Sequence, residues 1–217
     1  MSASAAGILA IVLACIIWGL APIYYKLLVT VPPLELLSHR VLWSFIFFFT
    51  VLVFVGRIKD LGSAIFSFKG YFLVILLASV LIAINWFFFI YAVQTNQTSE
   101  ASLGYFIMPL VTVVWGLVIF REKLSIFQWL SVLLATFAIC ILTFGLGAPP
   151  WIALILSFSF SIYAVLKKKM DISPIVSVTG EVLVLVPIGL LILVYFHVNG
   201  QGNFGIDWQI TILLALS

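Results

Sequence analysis

The sequence predicts an all-α protein that crosses a membrane several times. Hydrophobic residues make up 65% of the chain and charged residues only 8%, whereas soluble domains are about 45–50% apolar and about 25% charged. The mean hydropathy is +1.34. Apolar stretches of about 20 residues, the length that spans a bilayer as a helix, recur along the chain. A soluble fold could not bury this much apolar surface.

Seven of these stretches predict complete spans, and an eighth helix begins near Asp207. The predicted spans are 7–28, 34–55, 71–94, 99–120, 126–145, 150–167 and 176–196. The eighth stretch runs only to Ser217, which is about half of the length that a span needs. We therefore expect the chain to be a fragment of a longer protein that ends within its eighth helix.

The basic residues predict the orientation of these helices. Eight of the ten Lys and Arg residues lie in alternate loops. They are Arg57, Lys59, Lys69, Arg121, Lys123, Lys167, Lys168 and Lys169. Because Lys and Arg accumulate in cytoplasmic loops, we place these loops and the N-terminus in the cytoplasm. The positive net charge comes from short interhelical loops, so it does not indicate binding to nucleic acid.

A short internal repeat appears when residues 31–42 are aligned with 172–183. Pro33 then lies opposite Pro174, and Arg40 lies opposite Glu181. An odd number of predicted helices, five, separates the two copies, so the second copy is inverted in the membrane. Inverted repeats are typical of secondary transporters.

The repeat predicts a domain organisation. We expect a first five-helix repeat over 1–145 and the start of a second, inverted repeat over 146–217, within a parent of ten helices.

Three ionisable residues, Glu35, His39 and Arg40, stand at the start of the second predicted helix. An ionised side chain in hydrocarbon costs at least a few kcal/mol, so such residues mark a functional or paired site. Glu35 and His39 are four residues apart and share one helix face, which would suit a proton relay. The alternative for Glu35 is a capping role in the first turn, where the helix dipole favours an anion and one hydrogen bond is enough.

Arg40 and Glu181 are the two strongest candidates for a role in transport. The planar donors of Arg40 suit a carboxylate or a phosphate on a substrate. Arg40 could instead be a structural clamp on Glu181 or on helix-end carbonyls, or it could extend to the outer headgroups. Glu181 is the lone carboxylate of its predicted span, so it could carry a proton or pair with Arg40.

Further candidates for the lining of a cavity are polar and aromatic residues on the first, third and fourth predicted helices. They are Trp18, Tyr25, Lys26, Asn85, Trp86 and Tyr105. Packing and membrane-interface aromatic belts are the alternative explanation for the rings. The amide of Asn85 needs a partner, because it lies in the middle of an apolar helix.

Motifs of enzymes and metal sites are missing from the sequence. There is no HExxH, GxSxG, P-loop or glycine-rich dinucleotide turn, and no cluster of Cys or His. We therefore predict a protein that is not an enzyme and that has no cofactor or metal.

Several segments of the sequence resemble the RarD-type branch of the EamA family, in the drug/metabolite transporter superfamily. They are IWGLAPIYYK (17–26), ELLSHRVLWS (35–44), INW (84–86), SLGYFIMPL (102–110) and REKLS (121–125). The resemblance implies a ten-helix permease of the bacterial inner membrane, with two inverted repeats around a central cavity. Members are named as chloramphenicol-sensitivity proteins, and relatives export amino acids and metabolites; the motifs do not fix the substrate.

The sequence thus predicts a secondary transporter in a lipid bilayer that works by alternating access. We expect it to export small metabolites or drugs, such as chloramphenicol or amino-acid-like compounds. Protons are the expected coupling ion, through Glu181 or His39. The alternative is a membrane-embedded structural or assembly subunit without transport activity.

Overall fold

The computed structural model describes residues 3–66, 71–147 and 149–217, which form nine α-helices and no strand. The helices are α1 (Ala3–Leu27), α2 (Pro33–Phe54), α3 (Ile58–Phe66), α4 (Tyr71–Gln94), α5 (Thr98–Ile119), α6 (Ile126–Leu146), α7 (Trp151–Lys169), α8 (Pro174–Val198) and α9 (Trp208–Ala215). All except α3 and α9 are long and apolar enough to cross a membrane. The predicted fold class, an all-α protein with several membrane spans, is confirmed.

The helix ends follow local rules that the sequence makes visible. Pro33 and Pro174 each occupy the first helical position, where the missing N–H is not needed and the fixed φ suits a helix. Ser125 begins α6 with a capping box, in which its hydroxyl accepts from the Gln128 N–H and the Gln128 side chain accepts from the Ser125 N–H. Asp207 caps α9 through its carboxylate.

The short helix α3 was not predicted. It is nine residues long and amphipathic, and a search for apolar runs of about 20 residues cannot find such a helix. Leu61 and Ala64 on its apolar face are buried against Leu52, Ile75 and Val176. The loop between the second and third predicted helices is therefore partly folded; Lys69 of that loop lies outside the described residues.

Close packing of small residues holds the central helices together, with α8 on α2 and α7 on both α4 and α5. A Cβ atom on Gly104 of α5 would lie 3.0 Å from the Ala153 carbonyl oxygen and 3.0 Å from the Leu156 Cβ. Only glycine therefore permits this approach of α5 to α7, as at other interfaces between membrane helices. By contrast, α6 packs mainly against α5 and leaves large apolar side chains exposed, including Phe127, Phe137 and Phe144.

Successive spans run in opposite directions, which places the starts of α2 and α8 on opposite faces of the bundle. Arg40 and Glu181 each lie about two turns after the first residue of their helix. The fold therefore places Arg40 towards one face of the bundle and Glu181 towards the opposite face.

Candidate functional site

Arg40 lies where α1, α2 and α4 meet. The carbon at the centre of its guanidinium stands 4.2 Å from the ring centroid of Trp86 on α4. The same group donates a hydrogen bond to the Tyr25 hydroxyl on α1. A guanidinium over an indole face is a favourable cation–π contact, and more so away from water. The structure thus brings together three residues that the sequence proposed separately.

The positive charge of Arg40 has no carboxylate partner in the part of the chain that the structure describes. The ion pairs there are Arg57–Asp60, Lys167–Glu181 and Lys168–Glu122. A guanidinium has five N–H donors, and the contact with Tyr25 is the one side-chain hydrogen bond that Arg40 donates within the described ranges. Its nitrogens are not among the enclosed polar atoms without a partner. Arg40 therefore keeps accessible donors for a ligand.

Glu181 belongs to a second polar cluster, between α7 and α8. It is 2% exposed and accepts hydrogen bonds from the Lys167 ammonium at 2.7 Å, the Tyr163 hydroxyl at 2.9 Å and the Ser177 hydroxyl at 2.6 Å. The predicted alternative of a pair between Arg40 and Glu181 is wrong. The reason is that Arg40 and Glu181 lie towards opposite faces of the bundle, and Lys167 in the last turn of α7 reaches the Glu181 carboxylate instead.

Glu35 is held by the loop between α8 and α9. It is 1% exposed, and its carboxylate accepts from the backbone N–H of Asn203 at 2.6 Å and from the side-chain amide of Asn203 at 2.8 Å. Glu35 lies in the first turn of α2, where the helix dipole favours an anion, but its hydrogen bonds go to Asn203 rather than to the start of its own helix. The carboxylate instead ties α2 to a distant loop.

His39 stacks on Phe204 of the same loop, with ring centroids 4.9 Å apart. Its Nδ1 is enclosed and has no hydrogen-bond partner among the described residues. No direct hydrogen bond joins Glu35 to His39 in those residues, and the Glu35 carboxylate is bound by Asn203 instead.

Asn85 and Lys26 form their hydrogen bonds away from Arg40. Asn85 is 2% exposed and donates to the Leu156 carbonyl at 3.0 Å and to the Ser159 hydroxyl at 3.1 Å. It is a link between α4 and α7, which satisfies a buried amide. Lys26 is exposed and donates to the Asn96 side chain at 2.7 Å, at the end of α1.

Trp18 and Tyr105 join α1 to the α5–α7 pair. Their ring centroids are 6.3 Å apart, and the Trp18 ring is also 6.0 Å from Phe160 on α7. Sequence reasoning missed Phe160, since a phenylalanine within an apolar span carries no signal that separates an interior face from a lipid-facing one.

Comparison with known proteins places the chain among membrane transporters. The EamA-like transporter family matches residues 5–144. The uncharacterized transporter YojE of Bacillus subtilis is 39% identical over 214 residues, which are 97% of this chain and 72% of that protein. Protein RarD of Escherichia coli is 38% identical over 199 residues, which are 92% of this chain and 67% of that protein.

A more distant relative, chloramphenicol-sensitive protein RarD of Pseudomonas aeruginosa, is 27% identical over 204 residues, covering 93% of this chain and 68% of that protein. No solved structure matches the chain significantly. Seven apolar helices, a family match over most of the described chain and relatives named as transporters agree with one another. The chain belongs to the EamA-like transporter family, in its RarD-type branch.

Proposed function

We propose that the protein exports small organic anions, metabolites or drugs, across the bacterial inner membrane, with Arg40 holding the anionic group. The observation that carries this proposal is a guanidinium held by Trp86 and Tyr25 without a carboxylate partner in the described ranges. A cation in an apolar setting is costly unless it is paired. A substrate carboxylate or phosphate would supply the missing charge and could bind two guanidinium donors at once.

The transport cycle in this proposal is alternating access between two inverted repeats. The starts of α2 and α8 on opposite faces support it, because each repeat would present one polar residue near its own face. The distribution of basic residues supports a cytoplasmic N-terminus.

His39 and Glu181 are the two candidates for the proton site that couples transport to the proton gradient. Protonation of Glu181 would leave Lys167 without its counter-charge, whereas the Nδ1 of His39 has a lone pair that no described residue uses, and the Glu35 carboxylate one turn away would offset the charge of an imidazolium. We therefore place the proton at His39. His39→Gln should abolish the dependence of transport on a pH gradient while the substrate still exchanges across the membrane.

The first test is uptake into inside-out vesicles that carry the protein expressed from its complete gene. The panel holds organic acids, amino acids and the uncharged compound chloramphenicol, with and without a proton gradient. We expect gradient-dependent uptake of the anions. Arg40→Gln should lower it by about 10- to 100-fold, because hydrogen bonds to a charged group are worth about 1.5–3 kcal/mol.

Arg40→Lys should keep part of the activity, since it retains the charge but loses the planar fork. Arg57→Gln is the matched control, because Arg57 is exposed and already paired with Asp60. Unchanged kinetics in Arg40→Gln would refute the role of Arg40. A folded protein that takes up nothing from the panel would favour the structural or assembly subunit.

A further inference from the structure

A continuous series of ring contacts joins the Arg40 cluster to the Glu181 cluster. Successive ring centroids are 6.0, 5.8, 6.3, 6.0 and 5.7 Å apart. We call this series the aromatic track; in order, it consists of Tyr25, Phe89, Tyr105, Trp18, Phe160 and Tyr163. The track begins at the hydroxyl that accepts from Arg40 and ends at the hydroxyl that donates to Glu181.

Both ends of the track have the same arrangement of a cation near a tyrosine ring. Arg40 lies 5.9 Å from the ring centroid of Tyr25, and Lys167 lies 5.6 Å from that of Tyr163. The rings between them come from α1, α4, α5 and α7. Since Arg40 and Glu181 lie towards opposite faces of the bundle, the track runs between the two sides of the membrane.

Packing alone does not explain the middle of the track. Trp18 contacts rings on two other helices, yet 56% of its surface is exposed. Tyr105, Phe160 and Tyr163 are also only partly buried. An exposed ring within a membrane span faces either lipid or a path through the bundle, and polar groups favour the path. The indole N–H of Trp18 and the hydroxyl of Tyr105 are polar groups within spans, which favours a path rather than lipid beside these two rings.

We propose that the aromatic track is one wall of the translocation path and that it selects organic anions with a planar apolar group. This inference rests on the proposed role of Arg40 as the anion-binding residue. Planar groups gain most from offset or edge contacts with aromatic rings. Rings about 6 Å apart offer such contacts repeatedly, so the substrate passes from one ring to the next, and its charge rests at Arg40.

The test compares two anions that differ in planarity and share their charge. Benzenesulfonate is planar, cyclohexanesulfonate is not, and both remain ionised, so neither crosses the bilayer as a neutral acid. In inside-out vesicles that carry the protein expressed from its complete gene, we expect benzenesulfonate uptake to be about tenfold faster. Trp18→Leu and Tyr105→Leu should bring the ratio of the two rates close to one.

Two variants control for nonspecific damage. Tyr105→Phe keeps the ring and should keep the preference. Trp129→Leu removes a ring from α6 that is 46% exposed and lies outside the track, and it should also leave the ratio unchanged. Each variant is first shown to be folded by gel filtration in detergent.

The outcomes separate this inference from the proposed function. If both sulfonates enter at equal rates and both need Arg40, the anion site stands and the track is refuted. A preference for benzenesulfonate that survives Arg40→Gln would refute the anion site and keep the track. Uptake of neither sulfonate by the folded protein overturns the proposed substrate class.

Discussion

The two polar clusters of this bundle occupy equivalent positions but differ in how their charges are compensated. In each, a residue two turns after a helix-initiating proline contacts the last turn of the preceding span: Arg40 contacts Tyr25, and Glu181 contacts Lys167. Glu181 is neutralised by its partner, whereas among the residues that the structure describes Arg40 contacts a hydroxyl and aromatic faces but no carboxylate. The two clusters share this geometry, but within the described ranges only the Glu181 cluster contains a counter-charge.

This difference predicts a role in stability for the Glu181 cluster and a role in substrate binding for the Arg40 cluster. A buried ion pair must stay complete, because a lone charge left in the interior costs several kcal/mol. A cation without a carboxylate partner can instead gain one when a ligand arrives. The comparison therefore predicts that substitutions at Glu181 act on stability and that substitutions at Arg40 act on transport.

The largest expected effect is the loss of stability in Glu181→Ala. Because Lys167 would be left without its counter-charge, we expect a loss of about 3–5 kcal/mol. The free energy of unfolding can be measured in detergent by titration with sodium dodecyl sulfate and tryptophan fluorescence. Arg40→Gln in the same assay should lose much less.

The double variant Glu181→Met/Lys167→Met is the control. It removes both charges, so it should regain most of the stability that the single variant loses. If Glu181→Ala were no less stable than Arg40→Gln, the assignment of a stabilising role to the Glu181 cluster and a transport role to the Arg40 cluster would be wrong.

The sequence predicted the spans well because their signals are local. An apolar run of the right length and an initiating proline are visible without any knowledge of packing, and the predicted start of the second span, residue 34, differs by one residue from the observed Pro33. The nine-residue helix α3 escaped because its signal is amphipathic and short.

The partners of the polar residues were harder to predict, since they depend on which helices meet. Arg40 was identified because a charged residue within an apolar helix can be recognised from the sequence alone, without knowledge of the fold. Its contact with Trp86 and the clamp of Asn203 on Glu35 join residues far apart in the chain. The partner of Glu181 was missed for a different reason: three consecutive lysines at the predicted helix end were assigned together to the cytoplasmic loop, whereas α7 continues to Lys169 and directs Lys167 towards Glu181.

A smaller effect is expected at Asn85, which is a neutral counterpart to the ion pair. Asn85→Leu removes two hydrogen bonds between α4 and α7, and such bonds between membrane helices contribute about 0.6–1.7 kcal/mol. The same unfolding titration should show a loss in this range, and the KM for the transported anion should not change. If Asn85→Leu lowered the free energy of unfolding as much as Glu181→Ala, the ion pair would not explain the stabilising role of the Glu181 cluster.

The smallest expected effect comes from removing one hydroxyl in each cluster. Tyr25→Phe keeps the ring but removes the acceptor that orients Arg40, so we expect the KM for the anion to rise about threefold while stability stays nearly unchanged. Tyr163→Phe is the matched change in the other cluster and removes a donor to Glu181.

Tyr163→Phe should lower the free energy of unfolding by about 1 kcal/mol and leave the KM unchanged. The pair is informative because the chemical change is identical and only its surroundings differ. If both variants raised the KM equally, both clusters would contribute to substrate binding. The unpaired charge of Arg40 would then not be what locates the anion-binding site. If both lowered stability equally, Arg40 would be a structural residue like Glu181, held by its hydroxyl contact rather than kept available for a substrate.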